Sequence, residues 1–334
     1  MPEVDVGDLR VHHQRLGSPE GETVVLLHGM LVDNLSSLYL TLAPVLVGAG
    51  MDVLLYDQRG HGRTRRTAEG YTIDGAVADL IGLLDVLGID DPVHLLGNSY
   101  GALIAIEAAL AHPERVQGLV LVEAHFAVEG WGDNVAHDLE LAGFGLGEAD
   151  VQQWLDEFGG RKLNRLARKV EALIYDTTII EDLRAARPLP PEALRALDLP
   201  VMSIYGEHSD AIERARDLQA LLPRLEMNLF QDCAHSVLFE ATRTVRGVVA
   251  DWFARVGAGD EIVSRSTKVA VGEQEGEGEE HQEHVDFYKA ELERRMGSAA
   301  AGTALRIAPK LGGGAATGTA GGAATACGGP AGAG

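Results

Sequence analysis

Short apolar runs recur along roughly the first 256 residues, and segments of helical period fill the gaps between them. The runs at 23–27, 52–56, 93–96, 119–122 and 201–205 are short and mostly apolar, β-branched or leucine-rich, as expected of strands covered on both faces. Between them, residues 36–49, 72–87, 102–111 and 211–222 carry apolar positions at helical spacing, with Thr72 as a start signal. Strict alternation of strand and helix predicts right-handed βαβ units, hence an α/β fold with a mostly parallel, doubly wound sheet. The opening stretch 9–16 alternates apolar and polar residues instead, which predicts a half-exposed edge strand or hairpin.

Two stretches break this rhythm. Residues 125–197 contain no strand pattern, only amphipathic segments at 151–158 and 161–175 and the turn Pro188-Leu189-Pro190-Pro191. The expectation is a helical cap inserted over one end of the sheet. Beyond Gly257 the character changes again: 258–296 is an acidic segment with room for one short helix at 285–296, and 297–334 is almost wholly Gly, Ala and Thr. Such a tail cannot bury enough apolar surface to offset an ordering cost of roughly 1–2 kcal/mol per residue, so disorder is expected there. The expected organisation is therefore a domain over 1–257, the acidic segment, and the tail.

Composition narrows the functional classes. With 50 acidic against 28 basic residues the net charge is −22, and the pI is near 4.9. A nucleic-acid partner is not expected, because phosphate-backbone binding needs clustered cations; the same acidity disfavours polyanionic substrates. Cys233 and Cys327 are the only cysteines and lie far apart, so neither a disulfide framework nor a zinc knuckle is encoded. The start lacks a basic and apolar leader pattern, and no stretch approaches 18 uninterrupted apolar residues, from which a cytoplasmic protein with no membrane span is expected. No phosphate-binding loop or dinucleotide fingerprint occurs, so no cofactor is expected, and His281 and His284 in the acidic run are read as solvated rather than metal-binding. Of the 41 glycines, 12 lie in 297–334, so much of the excess belongs to the tail.

The chemistry concentrates in a few loops. Gly97-Asn98-Ser99-Tyr100-Gly101 fits G-x-S-x-G between a buried strand and an Ala-rich helix, where a serine is forced into a strained turn with its hydroxyl exposed at the carboxyl end of the sheet. A serine hydroxyl needs a base and a carboxylate behind that base. His235, in the loop after the apolar run 227–230, is the candidate base, with His208 as competitor. Asp210 is the candidate carboxylate and Glu207 the alternative, both following the strand 201–205; Asp210 also suits an N-cap for the helix after it. Backbone N–H groups of Tyr100 and Met30 are the candidate oxyanion donors, each worth about 3 kcal/mol of barrier. His28, Gly29, Met30 and Tyr100 are the expected substrate-binding positions.

Taken together, His28-Gly29, Asp57-Gln58-Arg59-Gly60-His61-Gly62, the serine motif, a carboxylate after Tyr205-Gly206, and Ala234-His235-Ser236 resemble the α/β-hydrolase superfamily over residues 10–256. The resemblance implies a Ser99-Asp210-His235 triad, an oxyanion hole at Met30 and Tyr100, a cap over 125–197, and a structural role for Asp57, Arg59 and His61. Serine at 99 argues against the haloalkane dehalogenase and epoxide hydrolase branches, which carry aspartate there. Carbon–carbon bond hydrolases often share the Gly-Asn-Ser elbow but carry tryptophan after the histidine, where Ser236 stands; haloperoxidase-like members often have proline where Met30 stands. Type II thioesterases share a compact cap. The implied function is cleavage of an ester, lactone or thioester of a small acyl substrate, free or carrier-bound. Carbon–carbon hydrolysis or acyl transfer on the same triad, and a non-catalytic ligand-binding protein of the same fold, are the alternatives.

Overall fold

A computed structural model describes residues 2–272. The acidic run from 273, the short helix expected at 285–296 and the 297–334 tail lie outside the described residues. Among the described residues, nine strands form one sheet in the order β1-β2-β4-β3-β5-β6-β7-β8-β9. They are β1 (Glu3–Val6), β2 (Leu9–Gly17), β3 (Thr23–Leu27), β4 (Asp52–Tyr56), β5 (Val93–Asn98), β6 (Val116–Val122), β7 (Val201–Gly206), β8 (Leu225–Phe230) and β9 (Arg265–Val269). Pairing is antiparallel at β1–β2 and β2–β4 and parallel from β4 to β9. The chain reverses its direction of travel across the sheet between β3 and β5, which places a crevice at their carboxyl ends.

The helices are α1 (Leu35–Thr41), α2 (Ala43–Gly48), α3 (Ile73–Val86), α4 (Tyr100–Ala111), α5 (Trp131–Gly147), α6 (Ala149–Trp154), α7 (Gly160–Tyr175), α8 (Ile179–Arg184), α9 (Pro191–Arg195), α10 (Ile212–Leu221), α11 (Val237–Glu240) and α12 (Thr242–Gly257). Each central strand divides its side chains between two apolar layers. Val25, Leu27, Leu95, Leu119 and Leu121 join the layer under α3 and α4, while Val24, Leu26, Leu96, Val120 and Val122 join the one under α1, α2 and α12. This two-sided burial is why these strands read as continuous apolar runs. Trp131, Leu139, Leu173, Ile179 and Leu183 of α5, α7 and α8 pack into the α3/α4 layer, so the helices of the 125–197 insertion are continuous with the main core.

Two expectations need correction. The single helix expected over 36–49 is two, α1 and α2, because Pro44 occupies the first turn of α2 and has no N–H to continue the preceding ladder. Helix α3 does begin where Thr72 directs: its side chain accepts from the Gly75 N–H. The sheet does not stop before 257. Strand β9 extends it to Val269, pairing with β8, although its side chains are mostly exposed and carry no apolar period. Its attachment is partly ionic, through Arg265 to Glu226 at 2.9 Å and Lys268 to Glu207 at 2.7 Å. Val269 and Val271 complete it by packing against the α12 side of the core.

Candidate active site

The carboxyl ends of five adjacent parallel strands, β3, β5, β6, β7 and β8, carry the groups of interest. Ser99 follows β5 with φ +54° and ψ −111°, a left-handed conformation that costs an L-residue on the order of 1–3 kcal/mol and persists only where the surroundings impose it. Those surroundings are identifiable. A Cβ on Gly97 would stand 2.3 Å from the Gly101 carbonyl oxygen, and one on Gly101 would stand 2.1 Å from the Leu27 carbonyl oxygen. Both glycines are therefore required for β3, the elbow and α4 to close on one another. Helix α4 starts at Tyr100, two residues earlier than its period suggested, which puts the Tyr100 N–H in its first turn without an intrahelical acceptor.

Loop 28–34, after β3, faces the elbow and is fixed from several sides. His28 is wholly buried; its Nδ1 lies 2.6 Å from the Gly29 carbonyl and its Nε2 accepts from the Gln58 N–H at 3.0 Å. Asp33 accepts from the Gly29 N–H at 2.8 Å. The Leu31 N–H, at φ +63°, donates to His61 Nε2 at 3.0 Å. Burial foremost, with neighbouring His28 adding to it, holds the His61 imidazole down at about 3, so it stays neutral and able to accept. Asp57 anchors the same region by accepting from the Leu35 and Arg63 N–H groups. Among the described residues, the N–H groups of Met30 and Tyr100 have no acceptor, as two oxyanion donors require. Of the expected substrate-binding positions, Met30 and Tyr100 line the cavity beside Ser99. His28 and Gly29 do not: they hold the loop beneath it.

His235, after β8, lines the same cavity. Its Nδ1 lies 3.0 Å from Asp210 Oδ1 and 3.5 Å from Glu123 Oε2, so the ring sits between two carboxylates at ion-pair distance, neither of them aligned as a direct hydrogen bond. Asp210 thus turns toward the histidine rather than capping α10, whose N-cap is Ala211; the Ala211 N–H is taken by Ser209 Oγ. Glu207 points elsewhere, to Lys268, and His208 is exposed. A Cβ on Gly206 would collide with the Ala234 carbonyl at 2.3 Å, so this glycine lets the His235 loop approach β7.

Glu123 was not anticipated. It follows β6 directly at φ +51°, a conformation unusual for a non-glycine residue, and is completely buried. The Gly206 N–H donates to its Oε1 at 2.6 Å and the Ser209 hydroxyl to its Oε2. Burial pushes its carboxyl up to about 7, against the pull of His235 and these donors. The sequence signal was slight: a carboxylate immediately after the apolar run 119–122, on the strand beside the serine strand.

The cavity is about 150 Å³, near the size that accommodates benzene. Trp131, Val135 and Leu139 of α5 roof it, and Val32, Leu238 and Phe239 add apolar wall. His125 lies across from His235, ring centroids 5.6 Å apart. Donor atoms of His125, Asp210 and His235 fall within 4.8 Å of one another, so these three could hold a metal ion, which would occupy the His235 imidazole that lines the cavity with Ser99. Cys233 is buried among the residues under α12, in a packing position. Among the described residues, no helix is long and apolar enough to cross a membrane.

Comparison with known proteins agrees with this architecture. A family model described as alpha/beta hydrolase fold matches residues 22–242. Epoxide hydrolase B of Mycobacterium tuberculosis is 35% identical over 150 residues, 41% of each chain; this chain thus spans about two fifths of that relative's length. The 2-hydroxymuconate semialdehyde hydrolase of Pseudomonas sp. is 28% identical over 225 residues, 62% of this chain and 77% of the relative. Among solved structures, the enol-lactonase of Burkholderia xenovorans LB400 superposes with a TM-score of 0.59 at 20% identity, covering 76% of this chain and all of that one. With the central serine strand, the flanking parallel strands and the matched span in agreement, the chain belongs to the alpha/beta hydrolase fold family.

Proposed function

We propose that the protein is a serine hydrolase that cleaves a carboxylic ester, lactone or thioester through an acyl-Ser99 intermediate. The observation that carries this reading is the strained backbone of Ser99 beside two N–H groups without acceptors, with His235 across the same cavity and two carboxylates beside its Nδ1. His235 Nε2 takes the Ser99 proton as Oγ attacks the acyl carbonyl. The resulting oxyanion accepts from the Met30 and Tyr100 N–H groups, and collapse expels the alcohol or thiol with the proton His235 has gained. Water, deprotonated by the same nitrogen, then attacks the acyl-enzyme and releases the acid and the free Ser99 hydroxyl. Asp210 and Glu123 stabilise the imidazolium in both steps. The narrow apolar cavity favours small to medium acyl groups, and a carrier-bound acyl group falls within the same chemistry.

The likeness to 2-hydroxymuconate semialdehyde hydrolase favours a second reading, hydrolysis of a carbon–carbon bond next to a carbonyl. Epoxide opening fits less well, because the nucleophile position holds a serine hydroxyl rather than a carboxylate. A screen across p-nitrophenyl esters, acyl thioesters, lactones and ring-cleavage diketones, with Ser99→Ala as control, separates the readings. Turnover of acyl substrates that falls about a thousandfold or more in Ser99→Ala is expected. Activity confined to the diketones supports the second reading, and full activity of Ser99→Ala on every acyl substrate overturns the first. Binding of ligands without turnover of any class marks a non-catalytic protein.

A further inference from the structure

On a chain with 50 acidic and 28 basic residues, the cations are unevenly placed. Arg161, Lys162, Arg165, Arg168 and Lys169 fall within nine residues that include no acidic one, and Arg63, Arg65 and Arg66 form a second cluster. Helix α7 brings the two together. Its apolar side buries Val170 and Ile174 against Val32 and Ala142. Val32, with Leu31, also lines the catalytic cavity. The opposite side of α7 is exposed and cationic, and with Arg66 it bounds a groove of about 600 Å³. Arg66, Arg161, Arg165, Arg168 and Lys169 line the groove, and among the described residues Asp156 is the one carboxylate in its wall.

The wall is built rather than loose. Arg66 Nη2 donates to the Lys169 carbonyl at 3.2 Å and Lys169 Nζ to the Gly62 carbonyl at 2.6 Å, tying α7 to the 62–66 loop. Among the described residues, none of the five cations makes an ion pair, and Arg66 Nε is buried without an acceptor. Burial first, then the charge of Arg165, with Arg66 and Arg63 adding, holds the Lys169 ammonium below its ordinary range. Gathering like charges this way opposes folding, and a bound anion offsets it.

We propose that the groove between α7 and residues 62–66 is a binding site for a phosphate-bearing anion of nucleotide size. Arginine forks match phosphate oxygens in pairs, and the groove volume lies in the range of small-ligand sites, whereas an acidic protein face would need a broader, flatter surface. The local potential thus reverses the acidity of the whole chain, which by itself disfavours polyanions. The anion has two sources, a free phosphate compound or the phosphate handle of a thioester substrate. Only the second rests on the acyl-enzyme reading.

Calorimetric titration of the full chain at low salt with inorganic pyrophosphate and with coenzyme A tests the site, using an Arg165→Gln/Arg168→Gln variant whose exposed substitutions leave the core intact. Saturable binding of at least one probe is expected, weakened about tenfold or more in the variant. Binding of neither probe by the unmodified chain, or equal binding by the variant, overturns the proposal. Kinetics on acetyl-coenzyme A and p-nitrophenyl acetate then assign the source. A KM raised about tenfold in the variant for the thioester alone identifies the substrate handle. Lost binding with both KM values unchanged identifies a free anion.

Discussion

The loops at the strand ends and the helices above them build function in different ways. At the strand ends, backbone constraint does the positioning: Gly97, Gly101 and Gly206 permit approaches that no side chain allows, and Ser99, Leu31 and Glu123 are held at positive φ. In α5 and α7, ordinary helices present side chains, apolar toward the cavity and cationic toward the groove. Changes of one atom should therefore be severe in the first region and graded in the second.

The largest effect is expected from Gly101→Ala. Its new methyl would meet the Leu27 carbonyl at 2.1 Å, forcing β3 and the elbow apart. Loss of activity with destabilisation of about 3 kcal/mol is expected in urea unfolding, and a near-neutral result would remove the contrast between the regions.

Next come the two carboxylates beside His235, which differ in exposure: Asp210 is 42% exposed at its side chain and Glu123 is not exposed. Asp210→Asn is expected to lower kcat/KM by about 10²-fold, less than loss of Ser99, because Glu123 still faces the ring; Asp210→Asn/Glu123→Gln should fall to the level of Ser99→Ala. Glu123 also leaves a pH signature. Its carboxyl, raised to about 7 in the folded chain against an ordinary 4.5, stays protonated between those values only when folded. Stability should therefore fall as pH rises from about 4.5 to 7 and level off above, and Glu123→Gln should flatten that slope. In catalysis, the part of the rise in kcat/KM near pH 7 that comes from Glu123 ionising should vanish in Glu123→Gln, a change a purely packing role would not produce.

The smallest effect is expected in the roof. Val135→Ala and Leu139→Ala should shift preference toward bulkier acyl groups by about tenfold, with kcat on an acetyl ester changing about threefold or less, as measured over a p-nitrophenyl ester series. A collapse of kcat on every ester would show that α5 organises the chemistry itself.

What the sequence revealed follows the same division. The βαβ order and the serine elbow were legible because buried parallel strands and G-x-S-x-G are local patterns. His235 and Asp210 were legible through their positions after strands. Glu123 was not, because its role exists only where β6 meets the loop carrying Gly206 and Ser209. Strand β9 lacked a period because it lies exposed on an edge, and the groove was hidden because summed charge averages a local cationic face into an acidic whole.

Ser99 as nucleophile is the central claim, and peptide mass mapping after treatment with a fluorophosphonate tests it most directly. The expected result is one adduct on the peptide containing Ser99, absent in Ser99→Ala and slower to form in Asp210→Asn/Glu123→Gln. An unlabelled Ser99 in demonstrably folded protein, or an adduct that persists in Ser99→Ala, would contradict it.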